Sequence, residues 1–170
     1  MSIIVRKYKK SDFESWDNFI NLSSNGTIFH LRSFLSYHID KKFIDHSLIF
    51  EKKGKIIAVF PAAIKEKRGK KVLFSHPGAS FGGFVFYKLY YKEADLLIRM
   101  LEKYCIQKQI NGIFFIVTPA IYHTQTNETL EYLLHWHKYK IEEFYISSMI
   151  DIKFKTKAID YLHSRKKRYV

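Results

Sequence analysis

Ile113-Phe114-Phe115-Ile116-Val117 is the run that decides the architecture of this 170-residue chain. A strand with one wet face alternates apolar and polar residues, whereas an unbroken apolar run reads as a strand covered on both faces. Amphipathic stretches flank it. Upstream, residues 91–109 place Leu97, Leu101, Tyr104 and Cys105 in helical register, and Asn111-Gly112 stops that helix. Downstream, Thr126 or Asn127 caps a helix running to about residue 138. The run is therefore expected as a central strand of a sheet with helices packed against it.

Moving outward, residues 3–8 read as a short strand. Ser11-Asp12-Phe13-Glu14 has the capping-box pattern, and Phe13, Trp16, Phe19 and Ile20 follow on one helical face. Asn25-Gly26 ends that unit, and a second short helix is expected over residues 31–38. Strands 47–51 and 55–64 meet at the hairpin signal Lys53-Gly54. A third strand, 71–75, follows the tip Lys67-Arg68-Gly69-Lys70. Residues 144–152 form a last strand, and a helix starts near residue 158. The order predicts an α/β sheet, antiparallel at first and partly parallel later.

An apolar fraction of 47% and an aromatic fraction of 17% are those of a folded domain and exclude a disordered chain. No apolar run reaches the roughly 18 residues that span a bilayer, so no transmembrane segment is expected. The N-terminus lacks the pattern of a signal peptide, and Cys105 has no second cysteine to pair with. A reducing cytoplasm fits both features.

The net charge of +13 is concentrated. Residues 52–71 carry +7 and residues 153–170 carry +6, which leaves the rest of the chain neutral. Each stretch is either a solvated tip or tail, or the contact for an anionic partner such as RNA. The last helix has no cap within its basic run, so residues 153–170 are expected either to fray or to lead into further chain.

Metal chemistry is not indicated. His135 and His137 flank Trp136 and belong to different helix faces, and His38, His46 and His163 have no recurring ligand partner. Cys105 lies mid-helix with no activating base in the sequence pattern. Walker and dinucleotide fingerprints are missing. Two clusters remain. The first is Phe29-His30-Leu31-Arg32-Ser33-Phe34, where Arg32 either holds a phosphate or carboxylate or is a surface charge at a helix start. The second is Ser75-His76-Pro77-Gly78-Ala79-Ser80-Phe81-Gly82-Gly83-Phe84-Val85. Its glycines let backbone N–H groups approach a ligand. His76 either serves as a base or orients the loop through a backbone contact. Arg32, His76 and the Gly78, Ser80, Phe81, Gly82 and Gly83 loop are expected to line one cleft, with Phe34, Tyr37 and Phe81 as a flat apolar wall for a base or sugar ring.

Thr27-Ile28-Phe29-His30-Leu31-Arg32-Ser33-Phe34-Leu35-Ser36-Tyr37-His38, then His46-Ser47-Leu48-Ile49-Phe50, resembles the start of FemABX-like proteins of the GNAT acyltransferase superfamily. Lys55-Ile56-Ile57-Ala58-Val59-Phe60-Pro61-Ala62 and Ser75-His76-Pro77-Gly78 with Gly82-Gly83 extend the resemblance. It implies a GNAT-like mixed, mainly antiparallel sheet flanked by helices. It also implies an N-terminal GNAT-like domain over residues 1–152, with the basic segment 153–170 leading toward a second one. The family includes bacterial aminoacyltransferases that extend peptidoglycan peptides and N-acyltransferases associated with envelope polysaccharides. The implied partner is an anionic acceptor such as a nucleotide-linked sugar, held by Arg32, Phe34, Arg165 and Arg168. The donor would be acyl-CoA or aminoacyl-tRNA, and a second GNAT-like domain or a homodimer partner would complete the enzyme. The family's pyrophosphate turn is glycine-rich and opens the central helix. Leu89-Tyr90-Tyr91-Lys92-Glu93 has no glycine there, so no cofactor is expected in this half.

Overall fold

The computed structural model of the protein describes residues 3–36, 43–144 and 146. The chain divides into residues 1–140 and residues 141–170. The described residues of the second part, 141–144 and 146, belong to no regular element. The expected strand 144–152, the helix from residue 158, and Tyr37, Arg165 and Arg168 lie otherwise outside the described residues.

In the first part the elements are β1 (Ile4–Lys7), α1 (Phe13–Leu22), α2 (Arg32–Leu35), β2 (Ile44–Asp45), β3 (Leu48–Lys52), β4 (Lys55–Phe60), β5 (Ala62–Lys67), β6 (Lys70–Ser75), β7 (Val85–Phe86), α3 (Tyr91–Gln107), β8 (Gly112–Phe114) and α4 (Thr129–Trp136). Short 3-10 turns occupy Lys10–Asp12, Ile28–His30 and Ala120–Tyr122.

The strands form two four-stranded sheets, ordered β1-β3-β4-β7 and β2-β5-β6-β8. These are two halves of one meander. The expected strand 55–64 is broken by Pro61, which has no N–H to give to the ladder. Its partner breaks opposite it. Ser47 fills the gap, its Oγ accepting the Ala62 N–H at 3.1 Å. The His46 N–H then reaches the Ala62 carbonyl at 2.8 Å and resumes the pairing. Both hairpin tips hold two residues at positive φ, Lys53-Gly54 and Arg68-Gly69, as tight primed turns require. Because β4 and β5 run head to tail through Pro61, the two basic tips lie at opposite ends of the meander. The +7 of residues 52–71 is therefore divided rather than pooled.

The apolar runs in β3, β4 and β7 are explained by burial on both faces. Leu48, Phe50, Ala58, Phe60, Phe84 and Phe86 join the core formed with Leu97, Ile98 and Leu101 of α3 and Leu133 of α4. The alternate residues Ile49, Val59 and Val85 meet Trp16 and Ile20 of α1 on the other face. Cys105 belongs to the first core, where burial pushes its thiol up to about 12 and leaves it unreactive.

Several local expectations change. Asp12, not Ser11 with Glu14, closes the turn before α1: its Oδ2 accepts the Lys9 N–H at 2.7 Å, and its carboxylate also takes two bonds from Arg6. Asn25 does more than end a helix. It is buried, and its amide donates to the Phe84 carbonyl and accepts the Phe86 N–H, at 2.8 and 3.0 Å. It thus stands in for a neighbouring strand along β7. Helix α3 stops at Gln107, two residues early, because Gln109 turns to positive φ. The cap position of α4 is Glu128, one residue after the expected Asn127, whose Oδ1 nonetheless accepts the Thr129 N–H at 2.9 Å.

The deciding run is a strand only over Gly112–Phe114, parallel to β6. Among the described residues β8 ends its sheet rather than lying at the centre. Its core-facing residues, Ile113 and Phe115, pack on the α3 side, while Ile116 stays exposed.

Candidate functional site

The glycine-rich loop is a wide bulge in the parallel pair of β6 and β8. Phe74 pairs with Phe114, and the next pairing point is Gly82 with Val117. Seven residues, 75–81, therefore stand opposite two, 115–116. The Gly82 N–H closes the bulge on the Ile116 carbonyl at 2.9 Å. Two glycines are required by the geometry. A Cβ on Gly82 would lie 1.8 Å from Ser75 Oγ. Gly83 combines φ +76° with Phe115 at 2.9 Å from its Cβ position.

Beneath the bulge sits His30, fully buried. Its Nδ1 accepts the Thr27 N–H at 3.0 Å, which places the ring proton on Nε2. The ring also hydrogen-bonds the backbone of Gly82, and Nε2 lies 3.5 Å from Thr118 Oγ1. His30 thus ties the turn before α2 to both limbs of the bulge. Burial pushes its pKa down to about 4. The unfolded chain takes up a proton near pH 6.5, whereas the native ring does not until about pH 4. Between these values the unfolded state binds more protons, so stability falls as pH falls through the window. The expected loss is up to roughly 3 kcal/mol. Urea unfolding from pH 7 to 4 measures it, and His30→Gln should flatten that part of the profile. An unchanged slope in the variant would refute the assignment.

Arg32 is not a surface charge. It is 5% exposed, with its guanidinium carbon 3.5 Å from the Tyr8 ring centre and 4.2 Å from that of Trp16. Its Nη1 donates to Asp45 Oδ2 at 2.9 Å, and its backbone N–H donates to Asp17 Oδ1 at 2.7 Å. Burial disfavours the guanidinium charge, and Asp45 counters it. Burial raises the Asp45 pKa as well, but Arg32 and two bonds from Ser47 outweigh it and hold the carboxyl below its usual range.

His76 reaches the same carboxylate electrostatically. It is 2% exposed, its Nδ1 donates to the Pro77 carbonyl at 3.1 Å, and it meets the Phe43 ring edge-on at 4.8 Å. Arg32 and His76 are therefore brought together around Asp45, but as buried groups and not as the walls of an open cleft. The loop-orienting role fits His76. Asp45 gave no signal in the sequence, because a single acid between Ile44 and His46 has no diagnostic spacing.

Of the expected wall, Phe34 and Phe81 are described and Tyr37 is not; Phe29, from the same cluster as Phe34, links the two. Phe29 meets Phe34 at 5.2 Å and Phe81 at 5.3 Å, both edge-to-face, and Phe81 meets Tyr122 at 5.4 Å. Gly78 and Ser80 are exposed beside this row, while Gly82 and Gly83 are buried beneath it.

At the entrance of α3, Glu93 occupies the first turn and pairs with Lys52 at 2.7 Å. A carboxylate there already complements the helix dipole and repels a pyrophosphate. Two residues further along α3, Asp95 Oδ1 meets His137 Nε2, just past the end of α4, at 2.8 Å. Among the described residues no three metal-ligating side chains converge, and no helix is long and apolar enough to cross a membrane.

No protein-family model matches the sequence, and no curated protein matches it. Solved structures do match. A GNAT family acetyltransferase from Staphylococcus aureus aligns over 88% of this chain and 100% of its own, at 15% identity and a TM-score of 0.50. A possible acetyltransferase from Clostridium difficile 630 aligns over 88% and 99%, at 13% identity and a TM-score of 0.52. A transcriptional regulator from Bacillus halodurans C-125 aligns over 88% and 100%, at 9% identity and a TM-score of 0.50. Similarity at this level establishes architecture and leaves chemistry to the site. The chain has the mixed α/β fold of GNAT acetyltransferases.

Proposed function

We propose that this chain is an acceptor-binding domain of a FemABX-like N-acyltransferase or aminoacyltransferase, acting on an amine of a sugar or peptide precursor of the bacterial cell envelope. The observation that carries this reading is the bulge at 75–81, overlaid by the row Phe34, Phe29, Phe81 and Tyr122. Flat rings beside the exposed Gly78 and Ser80 of a parallel-strand bulge suit a sugar or base. The α3 entrance, with Glu93 in place of a glycine turn, favours an acceptor role over binding the pyrophosphate of acyl-CoA. The donor, acyl-CoA or aminoacyl-tRNA, would be held by a second GNAT-like domain or a second copy. Catalysis would then rest largely on positioning.

A second reading is supported by the exposed tip of β5 and β6, where Lys65, Lys67, Arg68, Lys70 and Lys71 crowd around one acid, Glu66. Such a tip suits a polyanion such as RNA. Calorimetry with UDP-N-acetylglucosamine, acetyl-CoA and a single-stranded RNA separates the two. Saturable nucleotide-sugar binding, weakened about tenfold by Phe81→Ala, is expected, with no acetyl-CoA binding. Micromolar acetyl-CoA binding would make this a donor domain instead. RNA binding that falls steeply with salt, with no nucleotide-sugar signal, would establish the second reading.

A further inference from the structure

Five aromatic side chains remain more than half exposed around the α3 entrance and α4: Tyr87, Tyr90, Tyr91, Tyr132 and Trp136. They form a connected surface. Tyr91 lies 6.4 Å from Tyr132 across the two helices, and Trp136 follows Tyr132 one turn later on the same face. Tyr90, 68% exposed, stands between two grooves. One, of about 230 Å³, is apolar and floored by Ile56, Ile57 and Leu97. The other, of about 220 Å³, is lined by Ser24, Gln125, Thr126 and Asn127.

The kind of side chain narrows the partner. Each of the five has a flat apolar face and one hydrogen-bonding tip, and is stiff, so little entropy is lost on contact. The charge narrows it further. On a protein of net charge +13, the cations here, Lys52, Lys88, Lys92 and Arg99, are balanced by Glu93, Asp95, Glu128 and Glu131, with Lys52 paired to Glu93 and Arg99 to Asp95. This surface has no basic excess to attract nucleic acid or an anionic membrane. In the second groove Ser24 Oγ donates to the Phe86 and Tyr87 carbonyls, and the Asn127 amide bonds Leu89 and Thr129. The Gln125 amide and Thr126 hydroxyl, with Ser24 Oγ as an acceptor, are therefore the groups that suit a neutral ligand rich in hydroxyls.

We propose that Tyr90, with Tyr91, Tyr132 and Trp136, forms a platform for a neutral oligosaccharide, one sugar ring stacking on Tyr90 and the next entering the groove of Ser24, Gln125 and Asn127. The C–H face of a pyranose packs on an aromatic face, and its equatorial hydroxyls reach the polar lining. The platform is independent of the bulge row and of the reading built on it.

Trp16 is fully buried, so of the two tryptophans only Trp136 is open to a collisional quencher. The test is acrylamide quenching of the whole chain, titrated with chitotetraose, cellotetraose and maltotetraose, with calorimetry in parallel. At least one sugar should protect Trp136 saturably below about 10 mM. Tyr90→Ala should weaken that binding at least tenfold, Tyr90→Phe should stay within about twofold, and Phe81→Ala should leave it unchanged. The proposal is overturned if no sugar protects Trp136, or if Tyr90→Ala binds like the wild type. It is equally overturned if protection appears without sugar as protein concentration rises, which would mark the surface as a self-association face.

Discussion

Arg32→Ala should destabilise the protein by about 3 to 5 kcal/mol, the range for removing one partner of a buried ion pair. Two effects add. The guanidinium is a packed layer between the Tyr8 and Trp16 rings, so its loss opens a void there. The loss also strips Asp45 of its main counter-charge. The Asp45 side chain keeps 40% of its exposure and can recover water, which holds the effect toward the lower end. Arg32→Met separates packing from charge. A methionine fills most of the space between two rings and needs no partner, so it should cost less than half as much as alanine. Nε and Nη2 of Arg32 are buried without a hydrogen-bond partner, which makes the charged residue an expensive occupant of this site. Urea denaturation of both variants gives the answer. An alanine variant within 1 kcal/mol of the wild type would mean that Arg32 is not the packed centre described.

The second large effect belongs to Gly82. Gly82→Ala should cost at least about 3 kcal/mol, because its Cβ would sit 1.8 Å from Ser75 Oγ and 3.0 Å from Ser75 Cβ. Gly82 is not among the residues at positive φ, so the penalty is steric alone. It should be relieved in part by Ser75→Gly, which removes both clashing atoms. A double-mutant cycle would show a favourable coupling of 1 kcal/mol or more. Gly83→Ala should show no such rescue, since φ +76° penalises any side chain whatever its neighbours. Purely additive effects of Gly82→Ala and Ser75→Gly would mean that the bulge is not closed as described.

Much of the fold was written in local pattern. The strands of the first hairpin, β3 and β4, were expected where they lie, the Lys-Gly and Arg-Gly tips announced tight turns, and the spacing of Leu97, Leu101 and Tyr104 announced α3. These features are local because backbone geometry repeats over two to four residues. The row of rings was legible in part. Phe29, Phe34 and Phe81 were all in the marked clusters, while the place of Phe29 between the other two rings, and Tyr122 beyond them, came only with the folded chain.

Tertiary structure alone decided what each polar group does. Arg32 read as either an anion-holding residue or a surface charge, because a charge next to a helix start usually meets a ligand or water, but α1 and β1 supply Trp16 and Tyr8 and bury it. His30 became the tie beneath the bulge through partners at Gly82 and Thr118, more than fifty residues away along the chain. Pro61 split a strand the pattern showed as continuous, and β8 came to rest at the end of the described sheet although its run promised a centre. The sequence states which residues prefer to be dry and how the backbone can turn. Which polar atoms meet, and so which charge is buried and which glycine cannot change, depends on contacts between distant segments, and those exist only in the folded chain.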